Sequence, residues 1–229
     1  MSRVDQQTVV TVTVRVRDQH LLLLPDRLAY WVEQGLLILA DLHLGKAQHF
    51  RKNGIPVPGN VLRHELRRLA GHIEQIQPQQ TWILGDLSHS VYNKGWEEAI
   101  TFFSAYPAGF WHLVPGNHDI MQREQYERAG IVVEKPLVAH GPFALTHQLL
   151  AQAGDLYQVA GHVHPGVRLQ GKASQAITLP CFFFKPAYAL LPAFGRFTGL
   201  GRVEPEPGDQ VYAIAEGQIL DLSPQSGSA

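Results

Sequence analysis

Leu36-Leu37-Ile38-Leu39-Ala40-Asp41-Leu42-His43 is the stretch on which the reading of this chain turns. Five apolar residues in succession, bounded by Gly35 before and a polar motif after, predict a short strand buried on both faces. The run ends in a carboxylate and an imidazole, groups that do not belong in an apolar core. Polar side chains at the carboxyl end of a buried strand open into the crevice where α/β sheets bind ligands.

The same pattern recurs along the chain. Residues 81–84 lead into Gly85-Asp86, and residues 110–114 into Gly116-Asn117-His118-Asp119. Residues 143–146 precede a lone His147, and residues 158–160 precede Gly161-His162-Val163-His164. Around them, residues 9–16 alternate with a period of two, residues 21–24 and 28–32 read as short strands, and Glu33-Gln34-Gly35 as a turn. Asn60 is placed to cap a helix running to about Gln77, because Leu62, Leu66, Leu69, Ile73 and Ile76 step by three and four. Further helices are predicted over 96–105 and 121–129, the latter stopped by Gly130. Strands are predicted over 131–133, 167–169, 176–184, 211–215 and 218–222, with hairpin turns at 171–174 and 216–217. Helices early and hairpins late imply an α/β fold: a two-sheet β-sandwich flanked by helices, one sheet mixed and the other mainly antiparallel. Residues 1–222 are read as one domain and 223–229 as a disordered tail.

Composition sets limits. With 229 residues, 45% of them hydrophobic, the chain can bury a full core without disulfides. Its one cysteine, Cys181, cannot form an internal disulfide and lies in an apolar run, so a buried, inert thiol in a reducing compartment, the cytoplasm, is expected. Neither a signal peptide nor an apolar run of ~18 residues is present, so no membrane role is expected. A net charge of −1 leaves nucleic acid open, because a local basic patch is enough.

Taken singly, the polar motifs have bland readings. Asp-x-His is common, Gly-Asp and Gly-Asn-His-Asp are good turn formers, and a lone histidine is more often a core or rim residue. Together they place five histidines, the aspartates Asp41 and Asp86 and an asparagine at strand ends, which independent turns would not produce. Asp41 and His43 are two apart, as are His162 and His164, so an extended backbone would point each pair to one side. Two ions about 3.5–4 Å apart need a bridging oxygen ligand, and Asp86 is the natural candidate. Asn117 can offer a neutral oxygen. Mixed imidazole and oxygen donors favour manganese, iron, zinc or nickel over magnesium or calcium.

The ordered set from Asp41 through His164 resembles the calcineurin-like metallophosphoesterases. That resemblance implies two metals at the strand ends of a two-sheet sandwich. Asp41, His43, Asp86 and His164 would hold the first ion, and Asp86, Asn117, His147 and His162 the second. His118 would be the catalytic residue facing the substrate. Most members carry a second Asp three residues after the bridging one, where this chain has His89. A narrower resemblance runs through Ala40-Asp41-Leu42-His43-Leu44-Gly45-Lys46, Gly54-Ile55-Pro56-Val57-Pro58 and Leu191-Pro192-Ala193-Phe194-Gly195-Arg196-Phe197-Thr198-Gly199. These look like the PdeM branch, the ligase-associated DNA damage response endonucleases. Of the metals that the donor set favours, Mn2+ is the foremost expectation, with Zn2+, Fe2+ and Ni2+ as alternatives. The branch implies DNA as substrate, and association with DNA-repair ligase or helicase proteins.

Lys46, His49, Arg51 and Lys52 follow the first motif, and Arg63, Arg67 and Arg68 lie on the next helix. They read either as a grip on a nucleic-acid backbone or as a solvated face paired with Glu65. Lys46, Arg51 and His89 are the candidate substrate contacts. Phe182, Phe183 and Phe184 read as a core strand, with Phe183 facing away from its neighbours, more readily than as a base-stacking surface. Three functions compete: a DNA phosphodiesterase or endonuclease in repair, a nucleotide or dinucleotide pyrophosphate hydrolase or phosphatase, and a non-enzymatic scaffold of the same fold.

Overall fold

The structure, a computed structural model, describes residues 11–46, 50, 54, 60–88, 94–151, 153–171 and 175–224. The first sheet holds β1 (Val12–Val16), β2 (Gln19–Leu24), β3 (Leu28–Trp31), β4 (Leu36–Ala40), β5 (Gln80–Leu84), β6 (Trp111–Val114) and β7 (Ile131–Val133), side by side in chain order. Strands β1 to β4 form an antiparallel meander, and β4 to β7 run parallel. Parallel neighbours need crossovers. Those crossovers carry α1 (Val61–Ile76), α2 (Lys94–Phe103) and α3 (Arg123–Glu127).

The second sheet contains β8 (Leu137–His140), β9 (Phe143–Thr146), β10 (Tyr157–Ala160), β11 (Pro165–Gln170), β12 (Ala176–Phe184), β13 (Tyr188–Leu190), β14 (Gly201–Val203), β15 (Gln210–Ala215) and β16 (Gln218–Asp221). Its order is β14-β11-β12-β13-β10-β9-β8, with β15 pairing the far half of β12 and then β16. Most pairings are antiparallel, yet β9, β10 and β13 run parallel at its centre. A tight turn at Glu216 and Gly217, both with positive φ, joins β15 to β16 and suits the strand twist.

One apolar cluster fills the space between the sheets, with Trp31, Ile38, Phe143, Phe182 and Phe184 among its members. A second lies between the first sheet and the helices and takes Leu66 and Leu69 of α1, Phe103 of α2 and Tyr126 of α3. Every residue of β4 is buried, alternating between these clusters. A third cluster backs the other sheet and includes Phe183 and Cys181. Phe183 thus faces away from Phe182 and Phe184, and burial pushes the Cys181 thiol up to about 12. All helices among the described residues pack on the first sheet. None of them is long and apolar enough to cross a membrane.

Some local expectations shift. Asn60 sits at the cap of α1, but its side chain makes no capping bond. The short helix expected over 121–129 is trimmed to Arg123–Glu127, and residues 32–34 form a 3-10 turn closed by Gly35. Ser223, expected in the tail, is held by β15, because its hydroxyl accepts the Val211 N–H at 3.0 Å.

Arg68 on α1 is not a solvated cation. Its guanidinium lies 3.8 Å from the Phe194 ring centroid, 2.7 Å from Glu65, and donates to the Phe194 carbonyl at 2.5 Å. Burial brings its pKa down to about 10, against the pull of Glu65 and Asp26. Removing the cation would leave the buried Glu65 carboxylate without it. Arg68→Ala is therefore expected to cost about 3–5 kcal/mol in urea unfolding; a change under about 1 kcal/mol would show that the pair does not hold the helix.

Candidate metal centre and active site

The loops after β4, β5, β6, β9 and β10 meet at one edge, where the parallel parts of both sheets end. The β4–β5 ladder runs on into the first two loops. Asp41 N–H donates to Gly85 O at 3.1 Å, His43 N–H to Asp86 O at 2.8 Å, and Leu44 N–H to Leu87 O at 2.8 Å. The backbone is not extended here, as the two-residue spacings had suggested. Asp41, His43, Asp86, His162 and His164 all have φ between 49° and 65°. Left-handed backbone at non-glycine residues is costly, and its concentration in one place marks a functional site. These turns, rather than strand alternation, aim the side chains together. The glycines beside them are required by contact. A Cβ on Gly85 would sit 2.1 Å from the His147 ring, and one on Gly161 would sit 2.6 Å from Asp41 Oδ2.

Two groups of donor atoms result: Asp41, His43 and His164, and Asp86, His147 and His162, the atoms within each group lying within 4.8 Å of one another. Asp86 faces both. Its Oδ2 is 3.6 Å from His43 Nε2, and its Oδ1 is 3.5 Å from His147 Nε2. His147 Nδ1 donates to Leu84 O at 3.1 Å and His164 Nδ1 to Gly199 O at 3.1 Å, which turns each Nε2 lone pair inward. The inward atoms then oppose one another. Asp41 Oδ1 and His164 Nε2 are buried, 3.5 Å apart, and neither has a hydrogen-bond partner among the described residues. His162 Nδ1 lies 3.1 Å from His147 Nε2 and donates to it in one tautomer, while the other tautomer would leave both lone pairs to an ion. Burial, with His147 beside it, also holds the His162 imidazole below its ordinary range and so favours the neutral ligand form. Facing acceptors in a buried site are costly unless a cation lies between them. The donor set therefore fits two divalent ions.

The family comparison agrees with this geometry. Residues 36–165 match the calcineurin-like phosphoesterase family. The chain is a calcineurin-like phosphoesterase. Among solved structures it is similar to the nuclease MPE of Pseudomonas putida, with 28% identity and a TM-score of 0.80 over 93% of this chain and 100% of that one. It also matches Yfce, a phosphoesterase from E. coli, at 15% identity and a TM-score of 0.44 over 81% and 96% of the two chains. No curated protein matches. The chain is thus a hydrolase of phosphate esters; its family uses divalent metals, and it carries two candidate ligand groups for such ions.

The remaining candidates differ in placement. His118 is exposed; its N–H donates to Asp86 Oδ1 at 2.9 Å, and its ring stands edge-on to His43 with centroids 5.3 Å apart. Asn117 Oδ1 accepts from Gln148 Nε2 at 2.8 Å, a bond that must loosen or be shared if that oxygen is to ligate the second ion. Lys46, in the loop that carries His43, is partly buried, and burial lowers its pKa against the pull of Asp86 and Asp41. Arg51 and His89 lie outside the described residues, as do His49 and Lys52. Arg63 pairs with Glu98.

Two elements that brace the site were given no role by the sequence. Asp119 accepts the Ser88 N–H at 3.0 Å and the Gly116 N–H at 2.9 Å, tying the β5 loop to the β6 loop of the phosphoesterase. Burial raises its carboxyl above the ordinary range. Its turn-forming motif was the available signal. The segment after β13 backs the first ligand loop: Phe194 N–H donates to Ala40 O at 2.8 Å and Gly195 N–H to Asp41 O at 3.1 Å. Between that segment, residues 42–46 and the start of α1 lies a cavity of about 540 Å³, with His43 in its wall.

Proposed function

We propose that this phosphoesterase is a DNA endonuclease or phosphodiesterase of the PdeM branch, acting in cytoplasmic DNA repair with two Mn2+ ions. The observation that carries the reading is the pair of ligand groups that Asp86 faces with separate oxygens. Its likeness to a nuclease over nearly the whole chain supports DNA as the substrate. Association with a repair ligase or helicase belongs to the same proposal.

Asp41, His43, Asp86 and His164 would hold the first ion, and Asp86, Asn117, His147 and His162 the second. Such ions, when bound, lower the pKa of a water nucleophile and polarise the phosphoryl oxygens. The protein's own groups do the rest. The Leu84 and Gly199 carbonyls orient His147 and His164. Lys46 offers a cation to a non-bridging phosphate oxygen. His118, with its ring beside the first group, stabilises charge on the phosphate or hands a proton to the departing oxygen.

Hydrolysis of nucleotides is the second reading, favoured by the cavity beside His43, which is large enough for a small ligand. Metal-loaded protein assayed on single-stranded DNA, duplex DNA, nucleotides and dinucleotide pyrophosphates separates the two. Turnover confined to the last two classes would overturn the DNA reading.

Lys46→Ala is expected to weaken oligonucleotide binding with the metals retained, and to lower the slope of log affinity against log salt by about 1. Arg51→Ala is expected to act in the same way. Identical slopes for wild type and both variants would return these cations to the solvated surface.

A further inference from the structure

We infer that the cavity beside His43 holds the nucleoside attached to the scissile phosphate, and that Phe197 supplies the face on which its base stacks. The inference rests on the phosphodiesterase reading and adds a binding subsite to it. One wall is Leu42 and Leu44, both buried, in the loop that carries His43. Lys46, from the same loop, lines the cavity as well. The opposite wall is Arg196, Phe197 and Thr198.

That second wall is held rigid from behind. Arg27 donates to Ala193 O at 3.0 Å and to Gly195 O at 3.3 Å, and Arg68 fixes the Phe194 carbonyl. Thr198 Oγ1 donates to Gly195 O at 3.0 Å, and Arg196 is tethered to Asp26 at 3.4 Å. A loop locked in this way nevertheless leaves Phe197 38% exposed. A ligand that covers this apolar surface takes it out of water, which favours binding.

The chemistry of the walls defines the occupant. The metal end and Lys46 require an anion. The leucines and the phenylalanine require a flat apolar body within a few ångströms of it. A volume of about 540 Å³ accommodates one small-molecule-sized unit. A phosphate bearing a nucleoside has both parts at that spacing, whereas a bare phosphate would leave the cavity unfilled.

The test is equilibrium binding, by calorimetry on the metal-loaded full chain, of inorganic phosphate and of thymidine 5′- and 3′-monophosphates. Base–aromatic stacking lost on truncation predicts that Phe197→Ala weakens one of the thymidine nucleotides by about 5- to 100-fold. Inorganic phosphate should change far less, and Phe197→Tyr should keep wild-type nucleotide affinity. Ile177→Ala, an exposed residue on β12, serves as the surface control. Equal changes for nucleotide and phosphate, or no change for either nucleotide, would overturn the subsite. Wild-type hydrolysis of methyl p-nitrophenyl phosphate is measured alongside. Failure there overturns the phosphodiesterase reading alone, because the affinity comparison needs no turnover.

Discussion

Asp86→Ala is expected to empty both metal sites and to bring hydrolysis down by more than about 10⁴-fold, beyond what loss of a single acid or base produces. The reason is geometric. Asp86 turns one carboxylate oxygen to His43 of the first ligand group and the other to His147 of the second. It is also buried. Without it, two divalent charges would face one another screened only by imidazoles and Asp41. Metal analysis should find about two ions per wild-type chain and close to none in the variant. Asp86→Asn separates charge from shape. It keeps an acceptor for the His118 N–H, which Asp86 Oδ1 now receives at 2.9 Å, but it lacks the anion. It should lose metal nearly as fully. His164→Ala, by contrast, should deplete the first site more than the second, since its Nε2 faces Asp41. Full occupancy of both sites in Asp86→Ala would refute the bridging role.

His118→Ala is expected to keep near-normal metal content and to lose roughly 10²–10⁴-fold in rate, the range of a positioned acid or base. Its ring is exposed and beside the ligand groups, while its backbone, through Asp86, fixes where the ring begins. Two roles follow from that position, and the leaving group distinguishes them. A DNA alkoxide needs a proton to depart, whereas nitrophenolate scarcely does. If proton donation dominates, the loss should be smaller on a nitrophenyl ester than on DNA. Equal losses on both would assign His118 to charge stabilisation. Wild-type rates on both, or loss of the metals, would move the catalytic role to another residue such as His89.

Much of this centre was legible along the chain because its signals are local. A buried run such as Leu36–Ala40 cannot end in Asp41 and His43 without presenting them at a strand end, and the motifs at Asp86, His118, His147 and His162 repeat that pattern. The helix α1 was equally plain, since its apolar spacing is a property of its own residues. The strands β8, β13 and β14 escaped notice because three or four residues carry no period; their hydrogen-bond partners make them strands. The left-handed backbone at the ligands escaped for a related reason. Spacing in sequence suggested extended chain, but the continuing β4–β5 bonds and the close approach of Gly85 to His147 impose turns.

By itself, then, the sequence determined which side chains could carry charge and lone pairs to the strand ends, and which runs had to be buried. Both follow from side-chain chemistry and short-range periodicity. Only the tertiary structure decided that Asp86 faces two groups, that Arg68 is a buried clamp on Phe194 rather than a surface cation, and that Phe197 lines a cavity beside His43. Those outcomes depend on distances between segments far apart in the chain, 126 residues in the case of Arg68 and Phe194, and such distances are set by how the sheets and helices pack.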